Sequence, residues 1–239
     1  MGRIRRYRTA LSRHHRSAGY GIHSPFAFNF VLNVLRERLP YYCYADLENL
    51  RKAVISATRH HLRHPRIISF KNAKLLFRVT NYFGPRRVLQ IGTSYGVSSV
   101  AILGYSRKMR LALYEPNLDR YPVVGDVLKP YLGQIDFFSD LEMALGAYER
   151  EIGSDEEPFV VINDLPLAGD EQAIVRWLEP LMRSGAVVVM RNLSRSDRMK
   201  ALWERLKASM TGGQTFTNEK MAVLVAGHKL PLQHFFLWF

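Results

Sequence analysis

Polar or charged residues follow each of five short apolar runs in this sequence, and their types suit ligand binding and group transfer. They are Gly92, Thr93, Ser94, Tyr95 and Gly96 after the first run, Glu115 after the second, Ser139 and Asp140 after the third, Asn163 and Asp164 after the fourth, and Arg191 and Asn192 after the fifth. Ligands of open α/β sheets bind at the carboxyl ends of the strands. We therefore predict that these residues share one ligand-binding rim.

The two glycines of the first group stand four positions apart, between an apolar run typical of a strand and an apolar segment of helical length. Such a turn presents backbone N–H groups and a positive helix end to the polar part of a nucleotide-like ligand. Gly92 and Gly96 would let that ligand approach the backbone closely. Glu115 follows where a carboxylate commonly binds ribose hydroxyls; the alternative is a solvent-exposed strand end.

Several of the remaining candidate residues have two interpretations. Asp140 is either part of the ligand site or the N-cap of the next helix. Asp164 is either a lone general base or a cap or loop residue. Arg191, with Asn192 beside it, would suit an anionic acceptor such as a carboxylate or phosphate ester. His23, which precedes Ser24-Pro25, either reaches the ligand cleft or binds the helix cap.

The pattern between the apolar runs predicts an α/β fold. The runs cover residues 88–91, 111–114, 135–138, 159–162 and 186–190, and helix-length segments cover 97–105, 140–151, 170–182 and 196–210. The stretch between the second and third runs is less regular, because Pro122 and Pro130 interrupt it. Five strands joined by crossovers predict a parallel sheet with helices on both faces. Residues 214–217 and 221–226 predict a hairpin. The terminal QHFFLWF could add a strand or a clamp.

The N-terminal third predicts helices instead. Ser24-Pro25 is an N-cap with proline at the first helical position, and further helices are predicted at 46–61 and 70–83. Residues 1–18 form a loosely docked arm in this interpretation. We therefore divide the chain into a basic helical extension at 1–86 and a main domain at 87–239.

Composition and charge narrow the class of protein. The 239 residues are 47% hydrophobic and contain one cysteine, Cys43, which excludes an intramolecular disulfide. No apolar run is long enough to span a bilayer, so we expect a cytoplasmic protein. Residues 1–87 hold 18 Lys and Arg against 3 Asp and Glu. This basic segment could attract nucleic acid, an anionic membrane surface or an acidic substrate, or be a solvated face. A homo-oligomer is left open.

The first turn is G-x-x-x-G rather than the G-x-G-x-x-G of nicotinamide dehydrogenases. With Glu115 and the final hairpin, it resembles class I S-adenosylmethionine-dependent methyltransferases. V-L-Q-I-G-T-S-Y-G-V-S-S is similar to the first motif of the catechol and caffeoyl-CoA O-methyltransferase type, and G-I-H-S-P-F and Q-H-F-F-L-W-F are similar to a bacterial subgroup of it. The resemblance implies a Rossmann-like, mostly parallel seven-stranded sheet.

The resemblance also implies roles for the rim residues. Gly92 to Gly96 would line the amino-acid part of S-adenosylmethionine, Glu115 would bind its ribose, and Ser139 and Asp140 would lie by its adenine. Family members usually carry acidic residues at the positions of Gln90, Asn163 and Arg191, where some of those carboxylates bind a divalent ion. A guanidinium cannot serve as such a ligand, so we predict no metal.

Three functions follow as hypotheses. The first is metal-independent methyl transfer to a small-molecule acceptor, with Asp164, Arg191 and Asn192 around the acceptor. The second is a catalytically impaired binding protein with the same fold. The third is a nucleic-acid binder that uses the basic segment, although the sequence contains no recognised RNA-binding motif.

Overall fold

The computed structural model of the protein describes residues 19–59, 67–153 and 155–239. The arm predicted at residues 1–18 lies outside the described residues. The helices are α1 (Pro25–Phe30, continued by a π-helical turn Val31–Leu35), α2 (Tyr44–Thr58), α3 (Phe70–Phe83), α4 (Val97–Leu103), α5 (Tyr121–Leu128), α6 (Leu141–Glu151), α7 (Asp170–Ser184) and α8 (Asp197–Ala208). Among them, none combines the length and apolarity that a membrane span requires.

The strands of the described residues form one sheet. They are β1 (Arg87–Ile91), β2 (Arg110–Tyr114), β3 (Ile135–Phe138), β4 (Phe159–Ile162), β5 (Ala186–Arg191), β6 (Gly213–Thr217), β7 (Met221–Ala226) and β8 (Gln233–Phe236). Their order is β3-β2-β1-β4-β5-β7-β6-β8, with β1 to β5 parallel and β7 antiparallel to both neighbours. The predicted α/β fold and hairpin are confirmed. The sheet has eight strands rather than seven, because the terminal segment adds β8 parallel to β6.

Local signals explain where the helices begin and end. The Ser24 side chain accepts from the Ala27 N–H at 3.3 Å, and Pro25 follows in the first turn. Ser69 caps α3 in the same way, and α3 ends at Gly84 in a left-handed conformation. Helix α5 occupies the stretch that contains Pro122, which the sequence analysis took as an interruption. Pro122 lies in the first turn of α5, where a proline is tolerated.

The sheet separates two apolar layers. Strand residues alternate between them: Val88 and Val161 pack into one, Leu89 and Val160 into the other. The first layer also contains the buried residues of α1, α2 and α3, so the described part of the N-terminal extension shares a core with the sheet. The boundary at residue 86 stays a prediction. Because the five parallel strands end at one edge, their following residues meet there.

Candidate functional site

The turn after β1 is held in an unusual backbone conformation. Gly92 and Gly96 have φ of 78° and 82°, and the non-glycine residues Ser94 and Tyr95 between them have φ of 49° and 58°. A left-handed conformation costs a non-glycine residue roughly 1–2 kcal/mol. Such strain persists only where the surroundings impose it, and it is enriched at functional sites.

Glu115 lies against this turn. Strands β1 and β2 pair in parallel with Ile91 opposite Tyr114, so the residue after each strand is brought together. The Thr93 N–H and hydroxyl donate to Glu115 Oε2 at 3.1 and 2.8 Å, and the Asn117 N–H donates to Oε1 at 3.2 Å. Glu115 is 0% exposed. The alternative of a solvent-exposed strand end is therefore wrong.

Arg120 closes the site from the other side, which the sequence analysis did not foresee. Its Nη1 lies 2.8 Å from Glu115 Oε2 and 3.3 Å from Asp164 Oδ2, and its guanidinium lies over the Tyr95 ring at 5.5 Å. Arg120 ends the short 3-10 turn Leu118–Arg120 after β2. One guanidinium thus bridges two buried carboxylates across the mouth of the glycine turn.

Asp164 places its other carboxylate oxygen directly over Gly92. A Cβ built on Gly92 would lie 1.7 Å from Asp164 Oδ1, so only glycine leaves room for this carboxylate. Oδ1 is buried and has no hydrogen-bond partner among the described residues. Burial raises the pKa of Asp164 above its ordinary value, against the opposing charge of Arg120.

A network of neutral side chains fills the space beneath the turn. The amides of Gln90 and Asn163 donate to the Gly92 carbonyl at 2.8 and 2.7 Å and to the Ser98 hydroxyl, both at 3.0 Å. The Ser98 hydroxyl donates to the Thr93 carbonyl at 2.9 Å. These bonds hold both ends of the turn from below. Gln90 and Asn163 therefore support the turn through their side-chain amides.

Arg191 extends the network at the end of β5. It is 3% exposed, and its Nη1 donates to Asn163 Oδ1 at 2.6 Å. Its Nε is buried without a partner in the described structure, and burial lowers its pKa to about 10. Asn192, at φ 60°, donates from Nδ2 to the Asn163 carbonyl at 2.8 Å. The Arg191 guanidinium thus lies beside Asn163, one of the positions where the resembling family usually carries an acidic residue.

A cavity of about 460 Å³ opens beside Arg191 and Asn192. Its walls come from Ile67 to Asn72 at the start of α3, the loop after β5, the β6–β7 turn and the segment after β8. The N–H of Ile68, between the lining residues Ile67 and Ser69, donates to the Ser94 hydroxyl at 3.0 Å. This hydrogen bond joins one wall of the cavity to the glycine turn.

The fold and this arrangement were compared with known proteins. No family model and no curated protein matches the chain. Solved structures do match, at 11–20% identity and over 74–84% of this chain. They include an O-methyltransferase from Bacillus cereus in complex with SAH (18% identity, 82% of this chain and 96% of that one, TM-score 0.58). Another is the O-methyltransferase TomG from Streptomyces achromogenes, involved in tomaymycin synthesis and solved with SAM (18%, 83% and 96%, 0.56).

A third is a putative caffeoyl-CoA O-methyltransferase from Staphylococcus aureus (15% identity, 74% of this chain and 99% of that one, TM-score 0.50). The chain has the fold of these O-methyltransferases. Two features of this fold were predicted from the sequence and are confirmed. They are the glycine turn after β1 and the C-terminal hairpin.

The residues predicted to lie beside the adenine of the cofactor are Ser139 and Asp140. Both are exposed. The Glu115 N–H donates to the Phe138 carbonyl at 3.0 Å, so both residues lie at the same edge as Glu115. The Asp140 carboxylate accepts from the Met143 N–H at 2.8 Å and caps α6. The N-cap interpretation of Asp140 therefore describes its contact, and a place beside adenine stays a prediction.

His23 lies away from the rim in this methyltransferase fold. The Gln214 amide donates to the neighbouring Ser24 hydroxyl at 2.7 Å. Gln214 pairs with Val225, which pairs with Val187 near the start of β5, at the opposite end of the strand from Arg191. The structure therefore does not bring His23 to the ligand cleft. Within the described ranges, no three residues among His, Cys, Asp and Glu are grouped to hold a metal ion.

Proposed function

We propose that the chain is an S-adenosylmethionine (SAM)-dependent methyltransferase that acts on a small-molecule acceptor without a metal. The observation that carries the proposal is the contact of Glu115 with Thr93 of the glycine turn, within the fold of O-methyltransferases that include proteins solved with SAM or SAH. A carboxylate beside such a turn is the arrangement that accepts ribose hydroxyls in nucleotide-binding sheets.

The residues of the turn fit this cofactor in type and in charge. Two buried carboxylates, Glu115 and Asp164, flank the turn, and SAM carries a sulfonium and an ammonium. Asp164 Oδ1 has an unused acceptor position, which suits a cationic ligand. Arg120 now supplies the positive charge between the carboxylates. Binding of the cofactor in this proposal requires Arg120 to leave Glu115.

Each residue has a defined task in the proposed reaction. Bound SAM supplies a reactive methyl group, so alignment of the acceptor accounts for much of the acceleration. The turn at residues 92–96 orients the cofactor, and Glu115 binds its ribose hydroxyls. Asp164 accepts the proton of the acceptor hydroxyl while that oxygen gains the methyl group and the carbon–sulfur bond breaks. Its raised pKa suits a general base.

The acceptor would occupy the cavity beside Arg191. One wall of this cavity is hydrogen-bonded to the turn, because the Ile68 N–H, next to the lining residues Ile67 and Ser69, donates to the Ser94 hydroxyl. Arg191 and Asn192 line it, and Lys71, Arg195 and Lys220 add further positive charge. We infer an acceptor with a carboxylate or phosphate group. Arg191 beside Asn163 also supports a reaction without a metal, because a cation repels a metal ion.

Calorimetric titration of the full chain with SAM and SAH tests cofactor binding. We expect one site for each ligand, and no binding at high micromolar concentration would contradict the proposal. Asp164→Asn should lose transfer to hydroxyl acceptors, because its amide cannot take the proton. Arg107→Met, an exposed change elsewhere, is the control.

A second candidate is a binding protein that transfers no methyl group. The contact that favours it is Arg120, which leaves Glu115 0% exposed. SAM binding without transfer to any hydroxyl, amine or thiol acceptor would support this candidate. The nucleic-acid hypothesis depends on the basic segment at residues 1–87, of which residues 1–18 and 60–66 lie outside the described residues. Absence of salt-sensitive RNA binding would remove it.

A further inference from the structure

A second cavity lies beside the cavity at Arg191, along helix α3. The second cavity has a volume of about 380 Å³ and shares Lys71, Trp238 and Phe239 with the first. Since three residues line both, the two cavities are adjacent. We call the pair the α3 trough.

Helix α3 provides the α3 trough with evenly spaced positive charges. Lys71, Lys74 and Arg78 stand at positions i, i+3 and i+7, which share one face of an α-helix. Residues of the opposite face, including Leu76 and Thr80, are fully buried. At 1.5 Å per residue, the distance along the axis from Lys71 to Arg78 is about 10 Å.

Further cations flank both ends of the α3 trough. Arg191, Arg195 and Lys220 line the first cavity, and Arg36 and Arg38 line the second. The charge of each cavity is therefore strongly positive, because each is lined by a single carboxylate side chain.

Each cavity of the α3 trough is lined by one carboxylate side chain, fewer than its cationic side chains. Glu219 lines the first cavity and Glu37 the second. Glu37 Oε1 accepts from the Arg38 and Leu39 N–H groups at 2.6 and 2.7 Å, so it faces its own backbone. No salt bridge within the described ranges reaches Lys71, Lys74, Arg195 or Lys220.

The cationic side chains of the α3 trough also affect one another electrostatically. Burial first, and then the charges of Lys220 and Arg78, lower the pKa of Lys71. Lys220 belongs to the first cavity and Arg78 to the second, so charges in both cavities contribute to the lowered pKa of Lys71. Arg191 lines the first cavity, and its Nε is buried without a partner among the described residues. An excess of cationic side chains is the feature that an anionic ligand would complement.

We propose that the α3 trough binds a small molecule with two anionic groups, one beside Arg195 and Lys220 and the other beside Arg38 and Lys74. Phosphate groups fit best, since each accepts several charge-assisted hydrogen bonds. The role of this molecule as methyl acceptor rests on the proposed function, whereas its binding does not. Trp238, exposed and common to both cavities, provides an apolar surface for the part that joins the two groups.

Calorimetric titration with hexanediol bisphosphate and hexyl phosphate tests the proposal, because the probes differ by one anionic group. We expect the bisphosphate to bind at least about tenfold more tightly, since one further charged contact of ordinary strength gives that factor. The double variant Arg38→Met, Lys74→Met should lower bisphosphate affinity to the level of hexyl phosphate. Arg195→Met, Lys220→Met should weaken both probes.

A matched control removes the same charge outside the α3 trough. Lys108→Met, Lys229→Met changes two exposed residues and should leave both affinities unchanged. Equal binding of the two probes, no binding of either, or equal loss in the control variant would overturn the proposal. Tighter binding of a single-stranded RNA, lost in the Arg38 and Lys74 variant, would also overturn it and indicate a nucleic-acid surface.

SAM titrated into the same variants separates this proposal from the proposed function. Unchanged SAM binding in the Arg38 and Lys74 variant, together with loss of the bisphosphate preference, supports two distinct sites. Absence of SAM binding by the wild-type chain would refute the proposed function and leave the phosphate result intact.

Discussion

Replacement of Arg120 by methionine examines the bridge between Glu115 and Asp164. The guanidinium lies 2.8 Å from Glu115 Oε2 and 3.3 Å from Asp164 Oδ2, and the Arg120 side chain is 16% exposed. Removal of one member of a buried ion pair typically costs about 3–5 kcal/mol. Because Arg120 retains some contact with solvent, we expect a loss near the lower end, about 3 kcal/mol of unfolding free energy.

The same change should strengthen SAM binding. In the wild type, admission of the ribose requires rupture of the charge-assisted hydrogen bond from Arg120 to Glu115, worth about 1.5–3 kcal/mol. Methionine makes no such bond, and it also removes a positive charge that repels the cationic cofactor. Since 1.4 kcal/mol corresponds to a factor of ten, Arg120→Met should bind SAM about tenfold or more tightly.

Two assays measure these opposite effects. Urea denaturation at neutral pH gives the unfolding free energy, and calorimetric titration gives the SAM affinity. Arg107→Met removes an exposed arginine and should change neither. If Arg120→Met weakened SAM binding, Arg120 would itself contribute to the SAM site. The proposal that Arg120 must leave Glu115 for SAM to bind would then be wrong.

Two further changes test the contact of Asp164 with Gly92. Gly92→Ala places a Cβ 1.7 Å from Asp164 Oδ1 at φ 78° and should cost at least about 2 kcal/mol in urea denaturation, whereas Gly125→Ala, in a helix with open space, should be neutral or stabilising. Asp164→Asn should increase the free energy of unfolding at neutral pH. Burial raises the pKa of Asp164 in the folded chain, so the wild type is most stable with this carboxyl protonated and loses stability as the pH rises above the ordinary pKa of 3.8. Asparagine carries no charge at any pH and avoids this loss. Denaturation at several pH values should show the gain vanish near pH 3.8; a gain that persisted in acid would contradict this reason.

The parallel part of the sheet could be predicted because buried strands are continuous apolar runs. The runs at 88–91 and 159–162 agree with β1 and β4 to within a residue. Helix α5 was missed because Pro122 was taken as a break, although its position in the first turn preserves the helix. Strand β8 was left open between a strand and a clamp, since its pairing with β6 is a long-range contact.

The positions of the site residues could be predicted, and their contacts could not. Glu115 and Asp164 lie at the rim because strand ends converge there. The role of Arg191 beside the acceptor stays a prediction, and its burial and its hydrogen bond to Asn163 were not predicted. Arg120 had no signal beyond a charge five residues after Glu115. Its bridge between two carboxylates depends on tertiary structure that no local pattern encodes.

Calorimetric titration of SAM into the wild type, Arg120→Met and the double variant Arg120→Met, Glu115→Gln tests the central claim most directly. Glutamine has the shape of Glu115 and lacks its charge, so the ribose loses a charged acceptor, and both variants lack the Arg120 bond that SAM would have to break. We expect one SAM site in the wild type and at least about tenfold weaker binding in the double variant than in Arg120→Met. No SAM binding by the wild type, or equal binding by the two variants, would contradict the proposed role of Glu115.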